Sequence, residues 1–428
     1  MSSATLPRPR CVIVVTGSEL VRGERTDLNG PYLAREALSL GIEPVRILIV
    51  GDRPDELGAA LDEALGADLC LVSGGLGPTH DDRTVEMLAA ATGRDLVVDE
   101  VLEEEIGRVS RLFAERMRRP YVDFEPGVRK QASVPEGAVS LGLAGTAPGL
   151  LLEHDRCVVV VLPGPPRELQ RLWPNALELE PFRRLLARTS RPGRRLLRFF
   201  GASESAVARA LEAAGGDGDG VEATICARDF EIHVDLVVDD GTDARADQLA
   251  DALAGPLDRY LFARDERPVE ELVLALCRDR GLKLATAESC TGGLVAARLT
   301  EVPGSSAAFV GGIVAYADDV KRGELAVPHD VLERHGAVSA EAAEAMSRGV
   351  RERLGADVGV AVTGIAGPDG GTPEKPVGLV YFHASAPDGD RALEFNLQGD
   401  RETIRRRSAV TALHLVRRLL LHTGHRDV

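Results

Sequence analysis

The feature that most constrains this chain is a set of short, nearly continuous Val/Ile/Leu runs, each followed by a stretch with helical spacing. CVIVVTG (11–17), VRILIVGD (45–52), ADLCLVSGG (67–75) and VVVVLPG (158–164) are the runs of the first part. A strand apolar on both faces must be covered on both, and helices joining successive parallel strands do this. The expected fold is therefore α/β, with a doubly wound, mostly parallel N-terminal domain. Ligands in such sheets sit beyond the carboxyl ends of the strands. The pattern restarts at residue 269 with the amphipathic helix VEELVLALCRDRG. Strands follow at KLATAES (283–289), FVGGIVAYA (309–317), VGVAVTGIAG (358–367) and VGLVYFHASA (377–386), and a last helix covers 401–421. Between the two lies a small α+β module: RRLLRFFG as a strand, SESAVARALEAA as a helix, GGDGDG (215–220) as a flexible turn and EIHVDLVV as a half-exposed strand. The charged segment FARDERP (262–268) reads as a linker. The expected divisions are 1–170, 171–265 and 266–428, in keeping with two to three domains for 428 residues.

A net charge of −16 opposes polyanions, so no nucleic-acid partner is expected. Small nucleotides held by backbone N–H groups are compatible with it. The six cysteines form no C-x-x-C pair, which argues for reduced thiols in a cytoplasmic protein. No run of about 18 apolar residues occurs, so no membrane partner is expected. Basic residues are nearly all Arg, with Lys only at 130, 283, 321 and 375. Only Lys can lose its proton near neutral pH, so a retained Lys is a candidate base.

SGGLGPTHDDRT (73–84) ends a strand and opens a helix. Its glycines admit a ligand, Thr79 and the helix start offer phosphate donors, and Asp81 and Asp82 suit a hard divalent cation such as Mg²⁺. The bland alternative is a Gly-rich turn with an Asp cap. TGSELVRGERTDLN (16–29) places Glu19, Asp27 and Asn29 at the end of the first strand, and GTAPGL (145–150) and LPGPPREL (162–169) are further turns. Together with RKQA (129–132), these segments resemble the molybdopterin-binding-like domain of the competence/damage-inducible protein A (CinA) family. The resemblance implies an ADP-ribose pyrophosphatase dependent on a divalent metal, with K⁺ alongside. Glu19, Asp81 and Asp82 would be metal ligands, and Thr79 and Asn29 would bind substrate. Two positions depart from the family's usual Asn: Gly142, ahead of GTAPG, and Val128, before RKQA.

In the last part, AESCTGG (287–293) turns a strand into a helix. Cys290 near a helix start is one nucleophile candidate. The alternative is a tight turn whose amides, at Gly292 and Gly293, bind a phosphate. VPGSSAAF (302–309) carries Ser306, and Tyr316 and Lys321 follow one strand later; Ser, Tyr and Lys are the parts of a Ser–Lys hydrolase. Thr363 and Gly364, in AVTGIAGPDGG, suit an oxyanion or anion cradle. GDRETIRRR (399–407) supplies Arg401 and Arg405 for a substrate phosphate. Lys375, in PEKPVG, reads as exposed. These motifs closely resemble the C-terminal CinA domain. That resemblance implies hydrolysis of nicotinamide mononucleotide to nicotinate mononucleotide and ammonia, in pyridine nucleotide salvage and without a cofactor. The nucleophile would be Ser306, aided by Tyr316, Lys321 and Thr363, with Arg401 or Arg405 on the substrate. It also implies a homodimer. A second reading is a non-enzymatic pterin- or nucleotide-binding protein.

Overall fold

The computed structural model describes residues 8–422. The chain forms two compact units. One is built from the residues up to Gly193 with Asp239–Gly241, the other from Arg194–Val238 and the residues from Thr242 onward.

The first unit is a six-stranded sheet. β1 (Arg10–Thr16), β2 (Glu43–Val50), β3 (Leu69–Ser73), β6 (Val139–Leu143), β7 (Pro148–His154) and β8 (Cys157–Leu162) lie in the order β2-β1-β3-β8-β7-β6, and β4 (Leu96–Val98) pairs apart with β5 (Ser133–Pro135). β1 runs parallel to β2 and β3, and β3 to β8, as the apolar runs require; β7 and β6 add an antiparallel edge. Alternate residues feed two cores. Val12, Val14, Val72 and Val161 meet Leu57, Leu61 and Leu88, while Ile13, Val15, Leu71 and Val160 meet Leu33, Trp173 and Phe182. The expected boundary at 170 is too early. It cuts the helix Pro166–Leu177, whose Leu169 and Trp173 are core residues, and the next helix, Glu180–Leu186, buries Phe182 beside them.

In the second unit the middle module is not a separate body. β9 (Gly193–Phe200), β10 (Val221–Arg228), β11 (Glu231–Val238) and β12 (Leu261–Ala263) form the sheet β10-β11-β9-β12, and β10 is a strand the sequence reading missed. The module is fastened to the last helix, Arg401–His422, by His414. That ring is fully buried, stacks on Phe200 at 3.8 Å and shares a 2.7 Å hydrogen bond with Glu231. Burial pushes His414 down to about 4, so it stays neutral near neutral pH. The second sheet comprises β13 (Leu284–Glu288), β14 (Phe309–Val314), β15 (Val358–Gly364), β16 (Leu379–Ala386) and β17 (Gly389–Asn396), in the order β14-β13-β15-β16-β17. β14, β13 and β15 are parallel, and β16 and β17 antiparallel. β14 is an edge. Among the described residues, no helix is long and apolar enough to cross a membrane.

Candidate functional sites

The carboxyl ends of β13, β14 and β15 gather most of the candidate groups of the second unit. Lys321 lies in the short helix Asp318–Leu325 and is only 1% exposed. Its ammonium donates to the Tyr316 carbonyl at 3.0 Å and sits 3.5 Å from the Asp318 carboxylate. Desolvation pulls its pKa below the ordinary lysine value, against the opposing pull of Asp318. A lysine in that state can give up its proton and act as a base. Tyr316 is 62% exposed, and its hydroxyl accepts from Arg401 at 3.2 Å. Arg401 also donates to the Gly367 carbonyl at 2.8 Å. Arg405 is turned elsewhere, donating to the carbonyls of Cys290 and Thr291. Arg401 is thus the arginine that shares a site with Tyr316.

Replacing Asp318 by Asn should lower the Lys321 pKa further, because Asp318 favours the charged form. Any rate that needs neutral Lys321 should then have its acid limb shifted to lower pH; an unchanged pH profile would remove Lys321 from the rate.

Five expectations change here. The amides of the AESCTGG turn are not free for a phosphate. The Glu288 carboxylate, 1% exposed, accepts from the N–H groups of Gly293 (2.9 Å), Val295 (3.1 Å) and Ala296 (2.9 Å), and the Gly292 N–H donates to the Ser289 carbonyl. The helix start is filled by the chain's own anion. Cys290 is not a thiolate: burial pushes it up to about 12, with Glu288 adding to the effect. Thr363 spends its hydroxyl proton on the Ala337 carbonyl at 2.7 Å, and a Cβ on Gly364 would fall 2.7 Å from the Leu379 carbonyl, so this glycine permits close strand packing. Lys375 is not free either, since its ammonium donates to the carbonyls of His335 and Val338.

The fifth change concerns Ser306. It is exposed, on the turn Ser305–Ala307 at the amino end of β14, while Tyr316 and Lys321 follow the carboxyl end. Six strand residues at about 3.3 Å each put roughly 20 Å between them. The Ser306–Lys321 pair is therefore not formed within one chain. A different serine, the buried Ser289, lies on the turn next to Cys290, at the carboxyl end of β13.

In the first unit, a cleft of about 620 Å³ opens at the carboxyl ends of β1, β3 and β8. Glu19, Asn29, Asp81 and Asp82 all line it, as expected, with Asp27, Asp52, Ser73 and Glu168, of which only Asp27 was singled out by the sequence. Asn29 donates to the Ser73 hydroxyl at 2.9 Å and the Gly164 carbonyl at 2.7 Å, so it ties two cleft loops together. Gly74 and Gly75 are required: a Cβ would fall 2.6 Å from the Thr16 carbonyl at one and 2.1 Å from the Thr84 hydroxyl at the other. RKQA holds this loop from behind. Lys130 donates to the carbonyls of Thr79 and Asp82, and Gln131 to that of Leu76.

The donor set fits a hard divalent ion. Asp81 and Asp82 both take the single Thr79 hydroxyl as a neighbour, which has one proton to offer them. Thr16 Oγ1, beside Gly74, is buried with no partner. Burial raises the pKa of Glu168, which also lines the cleft. The departures do not open the wall: Val128 is buried in the core, and Gly142 has φ +87°, which Asn also tolerates.

Residues 12–182 match the probable molybdopterin binding domain, and residues 266–420 match the CinA C-terminal domain. A CinA-like protein of Mycolicibacterium gilvum is 45% identical, covering 97% of this chain and 99% of its own length. One of Mycobacterium marinum is 42% identical, over 96% and 98%. Among solved structures, a competence/damage inducible protein of Agrobacterium tumefaciens is 40% identical, covering 38% of this chain and all of its own, with a TM-score of 0.34. Matched along nearly its whole length by such relatives, the chain belongs to the CinA-like proteins.

Proposed function

We propose that the second unit hydrolyses the carboxamide of nicotinamide mononucleotide, releasing ammonia and nicotinate mononucleotide. The observation that carries this reading is Lys321: a buried ammonium with a lowered pKa, beside an exposed Tyr316 held by Arg401. Neutral Lys321 takes the proton of a serine hydroxyl, which attacks the carboxamide carbon. The C–N bond breaks, ammonia leaves with the returned proton, and water cleaves the acyl-enzyme. Arg401 forks onto the substrate phosphate, and Tyr316 orients the pair. Free nicotinamide lacks that phosphate and should be a far poorer substrate. Equal turnover of both compounds would remove Arg401 from substrate binding.

The serine is Ser306 of a second copy. β14 is an edge strand with Ser306 at one end and Tyr316 and Lys321 at the other, and its outward residues Val310 and Val314 are 45% and 48% exposed. Two copies laid antiparallel along this edge bring the amino end of each strand to the carboxyl end of the other. Each site then takes Ser306 from one chain and Lys321 from its partner. Lys283 braces the Ser306 turn by donating to the Ala307 carbonyl at 2.7 Å.

For the first unit we propose metal-dependent ADP-ribose cleavage in the cleft. Asp81, Asp82 and Glu19 would hold the ion, which when bound supplies Lewis-acid stabilisation of a pyrophosphate. Asn29 shapes the cleft by tying two of its loops, and Thr79, which does not line the cleft, orients Asp81 and Asp82 rather than touching substrate. Asp82→Asn should abolish this cleavage while deamidation continues; unchanged cleavage by the variant would contradict the assignment. The alternative of a ligand-binding protein without activity predicts neither product.

A further inference from the structure

We propose a divalent transition-metal site on the second unit, built by Glu344, His383 and Asp390 and independent of the deamidation site. Glu344 and Ser347 are on the helix Ala340–Leu354, His383 is on β16 and Asp390 on β17. One ligand atom from each of Glu344, His383 and Asp390 lies within 4.8 Å of the other two.

The tautomer of His383 points to a cation. Its Nδ1 is 2.7 Å from the Ser347 hydroxyl, and that hydroxyl donates its one proton to the Glu344 carbonyl at 3.0 Å. The Nδ1–H therefore donates to Ser347, and Nε2 carries the lone pair. The ring is 6% exposed. An imidazole and two carboxylates whose ligand atoms lie within 4.8 Å of one another are held together only with positive charge alongside. An imidazole oriented through its other nitrogen, with oxygen ligands alongside, is the donor pattern of Zn²⁺, Co²⁺ or Mn²⁺. Arg348 now supplies the positive charge, donating to Asp390 at 2.6 Å and approaching Glu344 at 2.9 Å. Its side chain is half-exposed and can swing into solvent, so the guanidinium is a displaceable occupant. A bound ion would tie the helix to both antiparallel strands, and water would complete its coordination at the exposed Asp390 side.

The test is calorimetric titration of the full chain with Co²⁺, with visible absorption followed in parallel. Besides the ion of the first-unit cleft, which Asp82→Asn removes, wild type should bind a second equivalent that Asp390→Asn and His383→Gln lose and Asp82→Asn keeps, which separates the two sites. Arg348→Gln should tighten that equivalent about tenfold, because a competing charge is gone. Asp390 is a strand-end surface residue, so its variant keeps the question open to measurement should His383→Gln fail to fold. The same isotherm for wild type and Asp390→Asn, or no effect of Arg348→Gln, would overturn the proposal.

Discussion

Lys321→Arg is expected to fold normally and to lose deamidation by about three orders of magnitude or more, as for other groups that act as a unit with a nucleophile. The reason is chemical. Lys321 is 1% exposed, and desolvation draws its pKa down, so a fraction of the chains holds a neutral amine. A guanidinium keeps its charge at every accessible pH and cannot accept the serine proton. Folding is checked by circular dichroism and turnover by ammonia release. A folded variant with near-normal turnover would reduce Lys321 to a source of positive charge. Lys375→Arg is not a silent control for this comparison. Lys375 straps His335 and Val338, on either side of the Ala337 carbonyl that Thr363 holds, so a moderate loss is expected there.

Ser306→Ala should be as inactive as Lys321→Ala, and mixing the two inactive chains should restore activity. Randomly reassorted dimers are half mixed, and each mixed dimer has one intact site of two, so about a quarter of wild-type activity returns. Recovery on mixing is a result that a site contained in one chain cannot give. If Ser306→Ala is active and Ser289→Ala is dead, the nucleophile is the serine beside Cys290 in the same chain, and the shared site is wrong.

The parallel sheets were legible because strands buried on both faces leave an unbroken Val/Ile/Leu signature, as in Val158 to Leu162, too short and too β-branched for a core helix. β10 was not legible, since five of its eight residues are exposed and only Val221 is buried, behind a glycine-rich turn. The metal-type cleft was visible as Glu19, Asn29, Asp81 and Asp82 and in the turns SGGLGPTHDDRT and LPGPPREL, but local spacing did not single out Ser73 and Glu168 within those turns as lining residues. The glycines of AESCTGG suggested a phosphate, whereas the anion is Glu288, four residues upstream of Gly292 and indistinguishable in sequence from an ordinary strand residue. The rarity of lysine was a weaker signal than it looked. All four lysines donate to backbone carbonyls, a task a compact ammonium does well, and only Lys321 joins this to deep burial. Spacing along an edge strand likewise gives the distance between Ser306 and Lys321 but not whether a second copy would bring them together.

The most direct measurement is ammonia release by the purified full chain given nicotinamide mononucleotide, with nicotinate mononucleotide quantified in the same samples. Equal amounts of both products, rising with time and absent from Lys321→Arg, are the predicted result. No ammonia from a folded wild-type chain over the range from pH 6 to 9, where neutral Lys321 becomes more populated as pH rises, would contradict the account.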